Sequence, residues 1–342
     1  MRTLSNQNNN RISQNVLALL ALSVALFIIF ITCLCLGSVH ISIPDVADSL
    51  FHPNAAGKAA VIIRSIRLPR VLSGLLAGIA LSTSGVVLQG VMNNALAGPS
   101  TIGVNSGAGF SVMLAYLLLP KVTWAGPVFA FFGALITTFI IFLLAYFGDK
   151  SRMTIILAGI TVSSFLSAGI NLIKTIDNDI TINLNSFMMG SLAGVSFSSI
   201  TLPAVGIIVA FIFAVIMARA LNIINLGDDI ARSLGVNVNL LRFILLTISS
   251  ILAGCVVSYA GLLGFVGLIV PHISRKLFGN DARLLIPGSA LLGASLVLLC
   301  DLIGRVVFSP YELPAGILMS FIGGPFFLYL LLRKKGGRRV NA

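Results

Sequence analysis

The sequence predicts an all-α, polytopic membrane protein with ten transmembrane helices, on three observations. Apolar residues make up 57% of the 342 positions, charged residues only 9%, and mean hydropathy is +1.05; a soluble chain carries about 25% charged residues. Apolar runs of about 20 residues, the length that crosses a bilayer core, recur from end to end. Polar residues collect in the short segments between runs, where irregular backbone can meet water. This composition excludes a soluble enzyme, a nucleic-acid-binding domain and a disordered chain.

The first run is Val16–Val39, behind a polar, Asn-rich head. It is too long for the apolar core of a signal peptide and more runs follow, so it is the first span. The others are Val71–Met92, Ile102–Leu119, Trp124–Phe147, Ile155–Ile173, Ile200–Leu221, Phe243–Tyr259, Leu262–Leu277, Leu284–Val307 and Pro314–Leu332. Phe243–Ile273 carries no charge and could form one long tilted helix. Gly261, Gly264, Gly267 and Pro271 instead predict a turn and two spans. The chain is then a single transmembrane domain, 1–342, with a cytoplasmic tail at 1–15, a cytoplasmic helix within 226–239 and a basic cytoplasmic tail at 333–342.

Net charge is +12 and the isoelectric point about 10.2. No basic face with interleaved aromatics accompanies it, so no nucleic-acid partner is expected. With ten spans and the N-terminus inside, 15 of the 22 Lys and Arg fall in cytoplasmic segments. The ten acidic residues show no such bias. Nine spans would put the Arg333–Arg339 cluster outside, against the positive-inside rule.

Chemistry-bearing motifs are missing. The sequence has no phosphate-cradling G-x-x-x-x-G-K-[ST] loop and no hydrolase or zinc-protease signature. Cys33, Cys35, Cys255 and Cys300 sit in apolar runs and read as buried thiols; His40, His52 and His272 are scattered and read as packing or loop residues. No metal site or resident cofactor is expected. Gly74, Gly78 and Ser82 form a small-residue stripe of the kind that lets membrane helices approach closely. Asp301 and Arg305 are the exceptional charges within a span, near its outer end. An ion-coupled carrier would bury ionisable residues near the midplane, so that class is disfavoured and any driving force must come from another subunit.

Two polar segments read as docking surfaces. Leu226–Asn239 begins LGDDIARSLGV. Asp228 and Asp229 suit a helix N-terminus, Gly235 suits the position that ends a helix, and Ile230, Leu234 and Val238 recur every four residues. Two Asp against one Arg make lipid a poor partner and a protein groove a better one. The second segment, RSIRLPR, puts Arg64, Arg67 and Arg70 three apart on the outer side, with Arg305 a fourth outer cation. They suit either lipid headgroups or the acidic residues of an outside protein.

Over nearly its whole length the chain resembles the FecCD family, the permease subunits of type II ABC importers for iron siderophores, haem and vitamin B12. The stretches that carry the resemblance are RLPR at Arg67–Arg70, SGVVLQGVMNNALAGPSTIGVNSGAG at Ser84–Gly109, LAGI at Leu157–Ile160 and FMMGSLAG at Phe187–Gly194. They continue with LGDDIARSLGV at Leu226–Val236, GFVGLIVPHISR at Gly264–Arg275, PGSALLGASLVLLCDLIGR at Pro287–Arg305 and ELPAGILMSFIGGPFFLYL at Glu312–Leu330. Ala95 stands where many members have Pro in N-P-L-A.

The resemblance implies the type II permease fold, a homodimer or heterodimer of permeases around a central path, two ATP-binding subunits below and an extracytoplasmic substrate-binding protein outside. ATP and Mg would be bound by the partner ATPase. By position, the coupling helix comprises Leu226, Gly227, Asp228, Asp229, Ile230, Ala231, Arg232, Ser233, Leu234, Gly235 and Val236. Arg67, Arg70 and Arg305 receive the binding protein's acidic residues, and Asn94, Leu96, Arg152 and Met153 lie near the cytoplasmic gate. The expected function is passage of a ferric siderophore across the bacterial cytoplasmic membrane, with no catalysis in this chain. Haem or vitamin B12 is the alternative cargo, and an ion-coupled secondary transporter the alternative class.

Overall fold

The computed structural model describes the backbone of residues 2–37, 39–52, 57–148, 151–176 and 178–334, with side chains omitted at 2–13, 178–183, 330–331 and 333–334. The expected tails at 1–15 and 333–342 fall almost wholly outside the described side chains, as does Lys150. Among the described residues every regular element is helical. In chain order they are α1 (Arg2–Cys35), α2 (Ile43–Phe51), α3 (Lys58–Val61), α4 (Leu68–Val91), α5 (Val104–Leu118), α6 (Ala125–Phe147), α7 (Arg152–Ile176) and α8 (Asn178–Met189). There follow α9 (Phe197–Ile216), α10 (Ala218–Asn225), α11 (Asp228–Ser233), α12 (Val238–Ala260), α13 (Val266–Phe278), α14 (Ala282–Val306) and α15 (Ala315–Lys334).

A helix lies on each of the ten expected runs, and seven are long and apolar enough to cross a membrane: the ones containing Gln14–Cys35, Lys58–Val91, Ala125–Phe147, Arg152–Ile176, Phe197–Ile216, Val238–Ala260 and Ala282–Val306. The helices on the third, eighth and tenth runs are shorter in their apolar part: Val104–Leu118, Val266–Phe278 and Ala315–Tyr329. The chain is a multi-pass membrane protein. The expected turn between the seventh and eighth runs is present. Gly261 takes a left-handed φ of 69°, the backbone stays irregular to Phe265 (φ 63°), and α13 starts at Val266.

The second span differs from its expected bounds. Its helix runs upstream through RSIRLPR to Lys58, giving 34 continuous residues, about 51 Å at 1.5 Å per residue, well beyond a hydrocarbon core of about 30 Å. The segment read as an approach is therefore helical. Pro69 cannot donate a backbone hydrogen bond, and the register is adjusted just before it by a π-helical turn over Ile62–Arg67, in which the Leu68 N–H donates to the Ile63 carbonyl five residues back.

α4 is the centre of the bundle. It packs mainly on α14 and α12, then on α13 and α9, and most of its length is buried. The close approaches need residues without side chains. A methyl on Gly78 would strike the backbone of Gly293 and Ala294, one on Gly293 would strike Gly78 and Ser82, and one on Gly85 would strike the Gly267 backbone. The Gly78 and Ser82 part of the expected stripe is thus a seam against α14. Because the obstacle at Gly85 is backbone, it cannot yield by changing rotamer. Gly85→Val is expected to cost at least the upper end of the about 1–3 kcal/mol typical of overpacking and to abolish folded protein in the membrane fraction. Gly264→Ala, where a methyl meets open space, is the control; equal thermal unfolding profiles for the two variants would refute the close approach of α4 to α13.

The four cysteines are buried thiols. α1 lies at the edge of the bundle, mostly unburied, and joins it through Cys33, Leu34 and Cys35 near its C-terminal end.

Candidate functional site

Candidate functional side chains gather at the two ends of the bundle and along one peripheral helix. Arg70 and Arg305 mark one end of α4 and α14. Gln89, on the last turn of α4, and Asp281, just before α14, mark the other.

At the first end, Arg70 grips the Asp301 carboxylate through Nε and Nη2 at 2.9–3.1 Å, and its Nη1 donates to Glu312 Oε2 at 2.7 Å. Arg305 Nε lies 3.1 Å from Asp301 Oδ2, which Arg70 also reaches, and Arg305 Nη2 donates to the Cys33 carbonyl at 3.3 Å. Arg67 donates to the carbonyls of Leu34 (2.6 Å), Cys35 (2.8 Å) and Val39. The last carbonyls of a helix lack intrahelical donors and carry the negative end of its dipole. Two guanidiniums therefore satisfy the end of α1 while Asp301 neutralises the pair behind it. Arg64 turns elsewhere and donates to the carbonyls of Ser49 and His52, 2.5 Å each.

Exposures here are 4% for Arg67, 7% for Arg70, 4% for Arg305 and 2% for Asp301. Each of Arg67, Arg70 and Arg305 is buried and already bonded within the chain, so none presents the free surface charge that the docking expectation called for. They tie α1, α4 and α14 together. Asp301 with Arg305 and the Glu of ELPAG were the visible signals of that network, but sequence spacing could not say that both acids converge on Arg70.

At the second end, α11 is set off by Gly227 (φ 112°) and Gly235 (φ 77°), conformations that glycine adopts without strain. Asp228 and Asp229 occupy its first turn, as expected. Asp228 accepts from Arg242 Nη2 at 2.8 and 3.0 Å and from Arg152 Nη2 at 2.8 Å; the same Arg152 nitrogen donates to the Ile224 carbonyl at 3.1 Å. Burial on its own pushes the Asp228 carboxyl up, but the bonds and charge of Arg242, with Arg152 and Arg232, outweigh it and hold it below the usual carboxylate range. With its folded value depressed, the tie is fully present above about pH 4 and is lost only as pH falls through that lower value.

The outer surface of this segment carries an apolar stripe beside the exposed Asp229, Arg232 and Ser233. Leu226, Ile230 and Leu234, four residues apart, are 59%, 49% and 60% exposed. Val238, expected on the same stripe, is buried in α12, because the turn at Gly235 ends the four-residue register. Ala231 faces inward and is fully buried.

Asn94 and Leu96 lie in the turn after α4, where the Leu96 N–H donates to Asn94 Oδ1 at 2.9 Å. Asn94 lines a cavity of about 880 Å³ with Gln89, Asn222, Asn225, Leu226 and Arg275. Arg152 is engaged with Asp228, and Met153 beside it is exposed. The two expected gate pairs thus both reach the 224–228 segment, Asn94 through its cavity and Arg152 by direct bonds.

Sequence reasoning placed a span on α7 but missed its polar side. Thr161, Ser164, Ser167 and Asn171 are exposed along one side of a spanning helix, and a groove of about 660 Å³ is lined by Ser100, Thr101, Ser163, Ser164, Ser167 and Asn171. The Ser163 hydroxyl is buried there with no hydrogen-bond partner among the described residues. Polar positions three and four apart in TVSSFLSAGIN were the signal.

Comparison with known proteins gives the context for these surfaces. The model of the FecCD transport family matches residues 25–333. The Fe(3+)-citrate import system permease protein YfmE of Bacillus subtilis (strain 168) is 36% identical over 318 residues, 92% of this chain and 95% of that protein. The hemin transport system permease protein HmuU of Yersinia pestis is 39% identical over 280 residues, 80% of this chain and 84% of its own. A solved structure, of a transporter assigned to the metal-chelate ABC type in an inward-facing conformation, superposes with a TM-score of 0.80 at 30% identity, covering 93% of this chain and 99% of that one. The chain belongs to the FecCD transport family.

Proposed function

We propose that the chain is the membrane subunit of an ATP-driven importer that carries a ferric siderophore across a bacterial cytoplasmic membrane. The observation that carries this reading is the exposed apolar triplet Leu226, Ile230 and Leu234 on and beside α11, whose Asp228 is held by the buried Arg242. A rigid apolar knob outside the spans needs a protein groove, and an ATPase subunit supplies both the groove and the energy. Similarity to permeases named for ferric citrate and hemin supports an iron chelate as cargo, with haem or vitamin B12 as the second choice.

In this reading the chain crosses ten times, both termini are cytoplasmic, and α11 is the coupling helix on the cytoplasmic side. The shorter helices α5, α13 and α15 complete the count, with α5 and α13 largely enclosed by longer neighbours. Two permease subunits pair, and cargo passes between them along the polar stripe of α7, since exposed Asn171 and Ser167 are poorly suited to lipid. The binding protein docks at the opposite end on the exposed segment 306–312, whose shape the buried Arg67, Arg70 and Arg305 maintain. No cofactor resides in this chain; ATP and Mg belong to the partner.

Reconstitution tests the whole. Proteoliposomes holding the permease, its ATPase and its binding protein should take up ferric siderophore with ATP, and the permease alone should take up none. Uptake by the permease alone on an ion gradient would establish the secondary transporter instead. In the complete assembly, Ser167→Trp should fill the α7 groove and lower uptake at least tenfold while ATP hydrolysis continues. Undiminished uptake would remove α7 from the path.

A further inference from the structure

A single carboxylate joins three helices at the coupling end. Asp228 belongs to α11, Arg242 to α12 and Arg152 to the first turn of α7. The two arginines stand on unlike supports. Arg242 is 2% exposed on α12, most of which is buried, whereas α7 buries only Ile155, Gly159, Ile170 and Ile173. One guanidinium is thus anchored in the core and the other on a helix at the edge of the bundle. The Arg152 nitrogen that holds Asp228 also holds the Ile224 carbonyl at the end of α10, so α7 is fastened on both sides of Gly227, where the chain turns into α11. The apolar knob projects from that same unit.

We propose that Asp228 is a pivot on Arg242 and that Arg152 is the lever by which movement of α11 is passed to α7 and its polar stripe. Arg152 is then a positioning residue for transport rather than a static gate residue. The proposal rests on the reading of α11 as the ATPase-facing helix and of α7 as path-lining. A charge-assisted bond suits the task because it keeps its length while the side chains reorient, and an elastic apolar contact of one exposed helix would not.

The experiment uses the assembled transporter in proteoliposomes, comparing wild type, Arg152→Gln and Arg152→Lys for ATPase-subunit retention, ATP hydrolysis and cargo taken up per ATP. Arg152→Gln is expected to keep the ATPase bound and hydrolysis within about twofold, yet to lower uptake per ATP at least tenfold. Arg152→Lys, which keeps the charge, should recover most of it. Unchanged uptake per ATP in Arg152→Gln would overturn the proposal; so would loss of the ATPase subunit together with uptake, which would make the tie merely a support of the docking surface. A wild-type assembly that needs no ATP would instead defeat the proposed function. Spin labels on Met153→Cys and Ser233→Cys give a readout independent of any variant at the tie. Their separation should stay constant between nucleotide-free and nucleotide-bound states, and a change of several ångströms would overturn the proposal.

Discussion

Asp301→Asn is expected to destabilise the folded protein by about 3–5 kcal/mol, the usual cost of removing one partner from a buried ion pair. Asp301 is the carboxylate shared by Arg70 and Arg305, and all three side chains are almost wholly enclosed. Asparagine keeps the shape but removes the charge, so Arg305 loses its acid entirely and Arg70 keeps only Glu312. Two further comparisons separate charge from shape. Glu312→Gln removes an acid whose side chain is 45% exposed and should cost under about 1 kcal/mol, as exposed pairs do. The double variant Asp301→Asn with Arg305→Met removes both charges and should be less destabilised than Asp301→Asn alone. Thermal unfolding in detergent, followed by helical signal, measures all three; a double variant worse than the single one would refute the electrostatic account.

That network also shows where sequence reading stopped. Apolar periodicity located a helix on every expected span, and the glycines at 261 and 264 placed the break before α13. These signals are local, and local physics decides them: burial demands apolar runs, and left-handed backbone favours glycine. The role of Arg67, Arg70 and Arg305 is not local. Their positions beside a span gave a sign and a spacing, which fit an external partner as well as an internal one. The choice was made by carbonyls of α1 more than 30 residues away from Arg67 and by an acid 231 residues from Arg70. Arg152 is similar, because nothing in the sequence around it points to Asp228, 76 residues on. The 226–236 segment was legible for the opposite reason, since its aspartates, glycines and apolar residues act within and just beside one short helix. Even there, Val238 was misread because periodicity continued across a turn that the backbone does not continue across.

The apolar knob yields the largest functional prediction. Leu226, Ile230 and Leu234 project from a unit whose inner side is fixed by Ala231 and Asp228, so changing their outer ends leaves the fold of α11 intact. Ile230→Asp with Leu234→Asp replaces two aliphatic side chains by charges, in a segment that already carries Asp228 and Asp229. Burying each large aliphatic side chain is worth about 1.5–3 kcal/mol, and enclosing an unpaired carboxylate costs several more. The sum exceeds about 5 kcal/mol, enough to weaken association by more than about 1,000-fold at 1.4 kcal/mol per decade. The double variant should therefore accumulate in the membrane with wild-type thermal stability, fail to co-purify with the ATPase subunit, and support no ATP-dependent uptake. Ile230→Leu with Leu234→Ile keeps the apolar area and should restore both association and uptake to within a few-fold. If the charged double variant retained its ATPase, the knob would not be the docking surface, and the coupling role of α11 would have to be carried by the cavity between Asn94 and Arg275.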